Sequence, residues 1–446
     1  MNRKPKAQEA LVGLMICTLA LACGKRQTEA EDPVESAEPA APAEAEAASL
    51  PFGSVTALAF GDADTLLVAD SHRGRVYALP APAGPAAEAD DADDAGGAPG
   101  GFQLRDLDTR LAELLGTTPP QVRVHDMVVH PTTGEAYLAV ARSGGEEVAS
   151  AVVIAPPSGE LRLLASPEDA PSVVLPSATG EGFAFYGYFP SQDLTFTDLL
   201  VHEGKLYVAG LSHAEFDSTL WSTTFPLGEA VATTTVEIFH GIHDQQETRA
   251  PIRAMAVVDV DGTDHLVAAY TCTPLVVFPL SGIVDGAHVT GKTIGEMGYG
   301  NTPSDMLVYT TQDAQQQPME VLFLQNADRA AQVVPLAAVR EAARGEGITE
   351  SVPLNEQASL GASSIPMTNV LEVADQDPRH LAVLRRDARE GDLELISYLK
   401  GVYFRLSDFQ SEYEIPGYTY AEAQQPIRQF QNMMKVDEGY PGHVRE

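Results

Sequence analysis

Short apolar runs separated by polar turns recur along residues 55–400 of the chain. Six of them share one pattern, a small or polar residue followed by a nearly continuous apolar stretch, at residues 55–60, 124–129, 196–201, 252–257, 303–308 and 367–372. Apolar runs of about four to eight residues bounded by turn residues predict strands. A second predicted strand follows at 65–69, 136–140, 205–209, 265–269, 320–324 and 380–384, and a third at 75–79, 151–154, 219–223, 275–280, 331–334 and 393–398.

These strand triplets repeat at intervals of roughly 50 to 70 residues. A single meander leaves one face and both edges unsatisfied, whereas meanders arranged radially bury those faces and leave only short edges. We therefore predict an all-β fold, a six-bladed β-propeller over residues 51–411. The long connection at 163–194 leaves a seven-bladed ring as the alternative, and residues 402–409 are a candidate closing strand.

Helical patterns are few, which argues against a parallel α/β fold. The segment 105–116 places Leu107, Leu111, Leu114 and Leu115 on one helical face, and Gly116 ends it. We expect this helix, and a shorter one at 339–344, to be decorations between blades.

The N-terminus has the pattern of a secretory signal peptide. Arg3, Lys4 and Lys6 precede an apolar stretch at 10–22 that is shorter than the ~20 residues of a membrane span. The sequence LALAC at 19–23 resembles the lipobox of bacterial lipoproteins. This resemblance implies that residues 1–22 are removed, that Cys23 carries a diacylglycerol and that the protein is anchored in the cell envelope. Gly24 favours the outer membrane, and a plain secretory peptide with an incidental cysteine is the alternative.

Composition places disordered segments on both sides of the propeller. Residues 23–50 are rich in Ala, Glu and Pro without apolar periodicity, which predicts a flexible tether. Residues 412–446 are expected to form an irregular arm. The 63 acidic and 28 basic residues give a net charge of −35, which excludes nucleic acid as a partner because phosphates need a positive surface.

Residues 58–79, LAFGDADTLLVADSHRGRVYAL, resemble NHL-repeat and gluconolactonase-type propellers. The other five units share only the general pattern. The resemblance implies six blades, but it transfers no activity, since such propellers serve as hydrolases, dehydrogenases and binding scaffolds.

Four oxygen-bearing side chains occupy one repeat position at the start of the first strands: Asp126, Asp198, Asp305 and Asn369. Ala57 and Ala254 take this position in the other two units. If the four converge at the channel mouth, they form a site suited to Ca²⁺ or another divalent cation, in the region where gluconolactonase-type propellers hold a metal. Alternatively, each accepts hydrogen bonds from main-chain amides of the adjacent blade.

Three cysteines and a histidine pair supply the remaining candidate chemistry. Processing would leave Cys272 as the one thiol of the mature chain, and we expect it to be buried and inert. His240 and His243 could chelate a metal from a loop, but no third ligand is close in sequence, and loop polarity is the favoured explanation.

No nucleophile, phosphate-loop or haem-attachment motif occurs in the sequence. Two hypotheses therefore stay open. The favoured one is a non-catalytic scaffold that binds a protein or small ligand on a propeller face. The other is a metal-dependent periplasmic hydrolase or dehydrogenase at the channel mouth.

Overall fold

The computed structural model describes residues 50–81, 101–143, 149–165, 167–178, 184–185, 189–190, 192–213, 216–298, 301–313, 315–327, 330–353, 356–358, 360–365, 367, 369–387 and 391–403. The predicted signal peptide, Cys23, nearly all of the tether, residues 404–409 and the C-terminal arm lie outside these ranges. Within them, no helix combines the length and apolar character needed to cross a bilayer.

Six antiparallel sheets account for most of the described chain, and they confirm the six-bladed β-propeller. Strands are numbered in chain order and grouped by blade. Blade I contains β1 (Val55–Asp62), β2 (Thr65–Asp70), β3 (Arg75–Pro80) and β9 (Ser172–Val174). Blade II contains β5 (Val122–Val129), β6 (Ala136–Arg142), β7 (Ala149–Ala155) and β8 (Arg162–Leu163). Blade III contains β12 (Asp198–His202), β13 (Lys205–Leu211), β14 (Ser218–Thr224) and β15 (Ala232–His240), extended by β16 (Gln245–Glu247) and β20 (His288–Thr290).

The other three blades follow the same plan. Blade IV contains β17 (Ile252–Val260), β18 (Thr263–Tyr270), β19 (Pro274–Pro279) and β21 (Lys292–Glu296). Blade V contains β22 (Pro303–Gln312), β23 (Pro318–Asn326), β24 (Ala331–Pro335) and β25 (Ser363–Ile365). Blade VI contains β26 (Val370–Asp375), β27 (His380–Arg386), β28 (Leu393–Leu399) and β4 (Gln103–Leu104). A separate hairpin joins β10 (Ala184–Phe185) to β11 (Phe189–Pro190), and the helices are α1 (Leu107–Leu115), α2 (Gln192–Thr195) and α3 (Leu336–Arg344).

Six hydrophobic clusters show which blades are neighbours, because each cluster combines buried side chains of two blades. Blade II packs against blades VI and I, blade I also packs against blade III, and blades III to VI follow one another. The order around the ring is therefore II, I, III, IV, V, VI. Blades I and II are exchanged relative to their order in the sequence.

The exchange follows from the path of the chain. After β3, the chain supplies β4 to the outer edge of blade VI, builds blade II, and then returns to complete blade I with β9. Blade VI thus receives its fourth strand from residues 103–104, not from the predicted strand at 402–409. The segment 163–194 holds no seventh blade among its described residues; it contains the outer strand β9, the β10–β11 hairpin and α2.

Two helices belong to the core and are not decorations. Leu107, Leu111 and Leu115 of α1 are fully buried in the cluster between blades II and VI, and the helix ends at Gly116 with a φ of 63°. Leu336 and Val339 of α3 fill the equivalent position between blades IV and V. Each helix covers apolar surface that two neighbouring sheets leave between them.

One irregularity recurs near the start of the innermost strands. The pairing register shifts by one residue in β1, β5, β17, β22 and β26, in each case directly before the positions of Ala57, Asp126, Ala254, Asp305 and Glu372. A β-bulge adds one unpaired residue and redirects the side chains around it. The repeated bulge therefore decides which side chains reach the channel.

Candidate functional site

The predicted polar ring exists, but one of its members differs from the prediction. Pairing with the second strand makes Asp126, Asp198, Asp305 and Glu372 equivalent, because they lie opposite Ala139, Ala209, Gln325 and Leu384. We call these four the ring carboxyls. Repulsion among these carboxyls contributes to the pKa shifts of Asp198, Asp305 and Glu372, so the structure places Asp126, Asp198 and Asp305 in one region.

Asn369 is not part of this ring. It lies three residues before Glu372, is exposed, and has a φ of 59°. Its carbonyl oxygen accepts a hydrogen bond from the amide of Arg386 at 2.9 Å. The sequence pattern of the sixth unit puts Asn369 at the ring position, three residues before the residue that occupies it in the structure. The bulge that fixes the register leaves no clear mark in the sequence.

Three ring carboxyls connect neighbouring blades through main-chain amides. Oδ2 of Asp126 accepts from the amide of Leu58 in blade I at 2.5 Å, and its Oδ1 accepts from the amide of Met127 at 2.6 Å. Asp198 accepts from the amide of Met255 in blade IV at 2.6 Å and from its own neighbour Leu199.

Asp305 repeats this arrangement between blades V and VI. It accepts from the amide of Met306 at 2.7 Å and from the amide of Val373. The hydrogen bonds join blade II to I, III to IV, and V to VI. In each pair the amide that donates belongs to the residue directly after the equivalent ring position of the neighbouring blade. That ring position is an alanine in blades I and IV. The carboxyls thus accept hydrogen bonds from main-chain amides of the innermost strands.

Burial raises the pKa of every ring carboxyl. For Asp126, desolvation outweighs the two amide hydrogen bonds and raises the pKa to about 7. Desolvation raises the pKa of Asp198, Asp305 and Glu372 well above the ordinary range, and repulsion among the ring carboxyls adds to this effect. These shifts favour the protonated form of the ring carboxyls, since like charges held close together disfavour ionisation.

Two basic side chains lie close to the ring carboxyls, and the sequence pattern assigned neither of them a role. Arg253 is the bulged residue of β17, and it experiences the charges of Glu372, Asp198 and Asp193. His125 is the bulged residue of β5, and burial lowers its pKa. His130, by contrast, is fully buried, with its Nε2 3.0 Å from the carbonyl oxygen of Ala81. One sequence feature could have identified Arg253: it is a basic residue directly before the ring position of the fourth unit.

The ring is too wide to match a compact metal site. Within the described ranges, two groups bring three metal-ligating atoms within 4.8 Å of one another: His240, His243 and Cys272, and His202, Glu203 and Asp264. Neither group contains a ring carboxyl. The geometry therefore agrees better with the structural alternative, in which the carboxyls bind amides of the adjacent blade.

The first of these groups corrects the expectation for Cys272. Its thiol is free and partly exposed, and it lies beside His240, although the sequence suggested an inert core position. His240 is buried, and His243 contacts it with a ring-centroid distance of 3.8 Å.

Comparisons with known proteins assign no family to this chain. No family model matches it, and no curated protein matches it. It is similar to hydrazine synthase of Kuenenia stuttgartiensis, with a TM-score of 0.31, 8% identity, and coverage of 80% of this chain and 98% of the other. It is also similar to Drosophila Plexin A, solved in complex with Semaphorin 1b, with a TM-score of 0.31, 11% identity, and coverage of 79% and 88%. At these values the similarities carry no functional argument, and the fold follows from the six sheets themselves.

Proposed function

We propose that this protein is a lipid-anchored, extracytoplasmic binding scaffold. In this proposal residues 1–22 are a lipoprotein signal peptide, Cys23 carries the diacylglycerol, and the segment up to residue 50 holds the propeller away from the outer membrane. The basic n-region, the short apolar stretch and the LALAC sequence support this export route. Several acyl chains on one cysteine give stable anchoring where a single chain does not.

One observation favours a binding scaffold over the metal-dependent enzyme. Asp126, Asp198 and Asp305 each bond to two main-chain amides, one from a neighbouring blade. Carboxyls engaged in this way stabilise the ring and are poorly placed to surround a catalytic cation. A rigid ring with an acidic composition is well suited to binding a positively charged protein or small ligand on one face.

The anchor is tested by growing cells with an alkyne-tagged fatty acid and comparing Cys23→Ser with Cys17→Ser. The wild type and Cys17→Ser should carry the label and fractionate with the outer membrane, because position 17 lies in the removed segment. Cys23→Ser should lose the label. Label that persists on Cys23→Ser would show that lipidation occurs elsewhere or that the labelling is non-specific.

The scaffold function is tested by calcium titration of the full chain, followed by thermal unfolding. We expect no rise in melting temperature that depends on the ring carboxyls. A Ca²⁺-dependent rise that disappears in Asp305→Asn but persists in Asp313→Asn, a turn variant of the same blade, would favour the metal-dependent enzyme instead.

A further inference from the structure

Two turns meet between blades III and IV and bring three metal-ligating side chains together. His240 ends β15, His243 lies in the turn before β16, and Cys272 lies in the turn between β18 and β19. Their ligand atoms lie within 4.8 Å of one another, although Cys272 is far from the histidines in sequence. We propose that His240, His243 and Cys272 form a Zn²⁺ site, independent of the channel and of the scaffold function.

One carboxylate orients both imidazoles. Oε2 of Glu247 lies 3.0 Å from Nδ1 of His240, and Oε1 of Glu247 lies 2.6 Å from Nδ1 of His243. A carboxylate on Nδ1–H fixes the tautomer and leaves Nε2 to the metal, which is the usual outer-shell arrangement around metal-binding histidines. A single glutamate that holds two rings in this way is difficult to explain by loop polarity alone.

The turn that carries Cys272 is held in a costly conformation. Cys272 has a φ of 78°, in the left-handed region that residues with a side chain rarely adopt. Asn301 donates its Nδ2–H to the carbonyl oxygen of Cys272 at 2.9 Å, and the amide of Met297 donates to the carbonyl oxygen of Thr273 at 2.8 Å. Such strain persists where the surrounding structure fixes it, most often at functional sites.

The nitrogen through which His240 would bind the metal contacts a hydroxyl group in the structure. Nε2 of His240 lies 2.8 Å from Oγ1 of Thr273, whose hydroxyl donates to Glu296. Zn²⁺ would break this contact and take Cys272 as the thiolate, and the displaced protons would pass to solvent.

The donor set and the spacing select the metal. Two imidazoles and a thiolate are typical Zn²⁺ ligands, and tetrahedral bonds of about 2.0–2.3 Å place ligand atoms roughly 3.3–3.8 Å apart. The ligands therefore need to move inward by only about 1 Å. The side chain of His243 is 42% exposed and free to make this adjustment. Three protein ligands leave the fourth position open to water, as in catalytic zinc sites.

The test uses the full chain, stripped with a chelator and reloaded with Zn²⁺ or Co²⁺. We expect one equivalent of metal by elemental analysis, and a near-ultraviolet thiolate-to-Co²⁺ charge-transfer band. Cys272→Ala should abolish this band, and His243→Gln should reduce the bound metal to background. His265→Gln, a histidine in the neighbouring hairpin whose Nδ1 lies 2.9 Å from the carbonyl oxygen of Thr263, is the matched control and should bind like the wild type.

The role of Glu247 adds a graded measurement. Glu247→Gln should retain the stoichiometry but weaken Zn²⁺ affinity by about 10- to 100-fold, as for other outer-shell carboxylates. Metal that binds equally to the wild type, Cys272→Ala and His243→Gln would overturn the site. Binding of copper but not zinc through the same ligands would overturn the choice of metal.

Discussion

Asp126 combines two opposing influences at the scale of a single residue. Its carboxyl accepts short hydrogen bonds from Leu58 and Met127, which favour the ionised form, while burial favours the neutral form. Burial has the larger effect, so the pKa rises from 3.8 to about 7. The same competition applies to Asp198 and Asp305, and it couples protonation to the contact between blades.

This pKa shift predicts how stability depends on pH. Because the folded protein holds the proton more tightly than the unfolded chain, Asp126 contributes stability that is fully present below pH 3.8 and lost as the pH rises to about 7. Each unit of difference between the folded and unfolded pKa corresponds to about 1.4 kcal/mol. The Asp126→Asn variant has no carboxyl to titrate at this position. The melting temperature of the wild type should therefore fall relative to that of Asp126→Asn between about pH 4 and about pH 8.

Thermal unfolding across this pH range checks the expectation. The difference between the two curves reports Asp126 together with its electrostatic effect on the other ring carboxyls. Asp64→Asn, in the exposed turn between β1 and β2, is the control and should run parallel to the wild type. Parallel curves for Asp126→Asn as well would show that Asp126 has no raised pKa.

At the scale of an element, β4 has an effect larger than its two residues suggest. Leu104 and Gln103 pair with Leu395 and Ile396 of blade VI, and the amide of Phe102 donates to Oγ of Ser397 at 2.8 Å. The Phe102 ring is fully buried beside α1, in the cluster between blades II and VI. This short strand and helix therefore connect the first half of the chain to the last blade.

Phe102→Ala should consequently destabilise the protein by about 3–5 kcal/mol, the range for deleting a buried phenylalanine. Hydrogen exchange should also accelerate in β28, because its outer neighbour loses its anchor. Leu163→Ala is the matched control: Leu163 lies in the two-residue outer strand of blade II but is 41% exposed. Equal destabilisation by the two substitutions would mean that β4 does not close the ring.

At the scale of the whole molecule, ring order and charge act together. Blade I takes its outer strand from the chain beyond blade II, and blade VI takes its outer strand from the segment between blades I and II. The first two blades and the last are thus interdependent, which favours cooperative unfolding. The net charge of −35 opposes this compact state through repulsion.

We therefore expect the melting temperature to rise as ionic strength increases from low to physiological. Salt screens the repulsion between surface carboxylates, with a Debye length of about 8 Å at physiological strength. Sodium chloride and sodium sulfate, compared at equal ionic strength, separate screening from the added effect of an excluded anion. A melting temperature that falls with sodium chloride would mean that attractive ion pairs outweigh the net charge.

The sequence by itself determined the strands, the six units and three of the four ring carboxyls. Apolar runs and turn residues act locally, so the inner three strands of each blade are readable from one stretch of chain. Four outer strands contain only two or three residues, too few to show a pattern.

Tertiary structure alone decided the order of the blades, the place of Glu372 and the surroundings of Cys272. The exchange of blades I and II depends on contacts between segments as distant as Leu104 and Leu395. Glu372 enters the ring through a bulge, and Cys272 meets His240 because two separate turns pack together. These features arise from contacts between residues far apart in the chain, and such contacts become visible only when the whole ring is assembled.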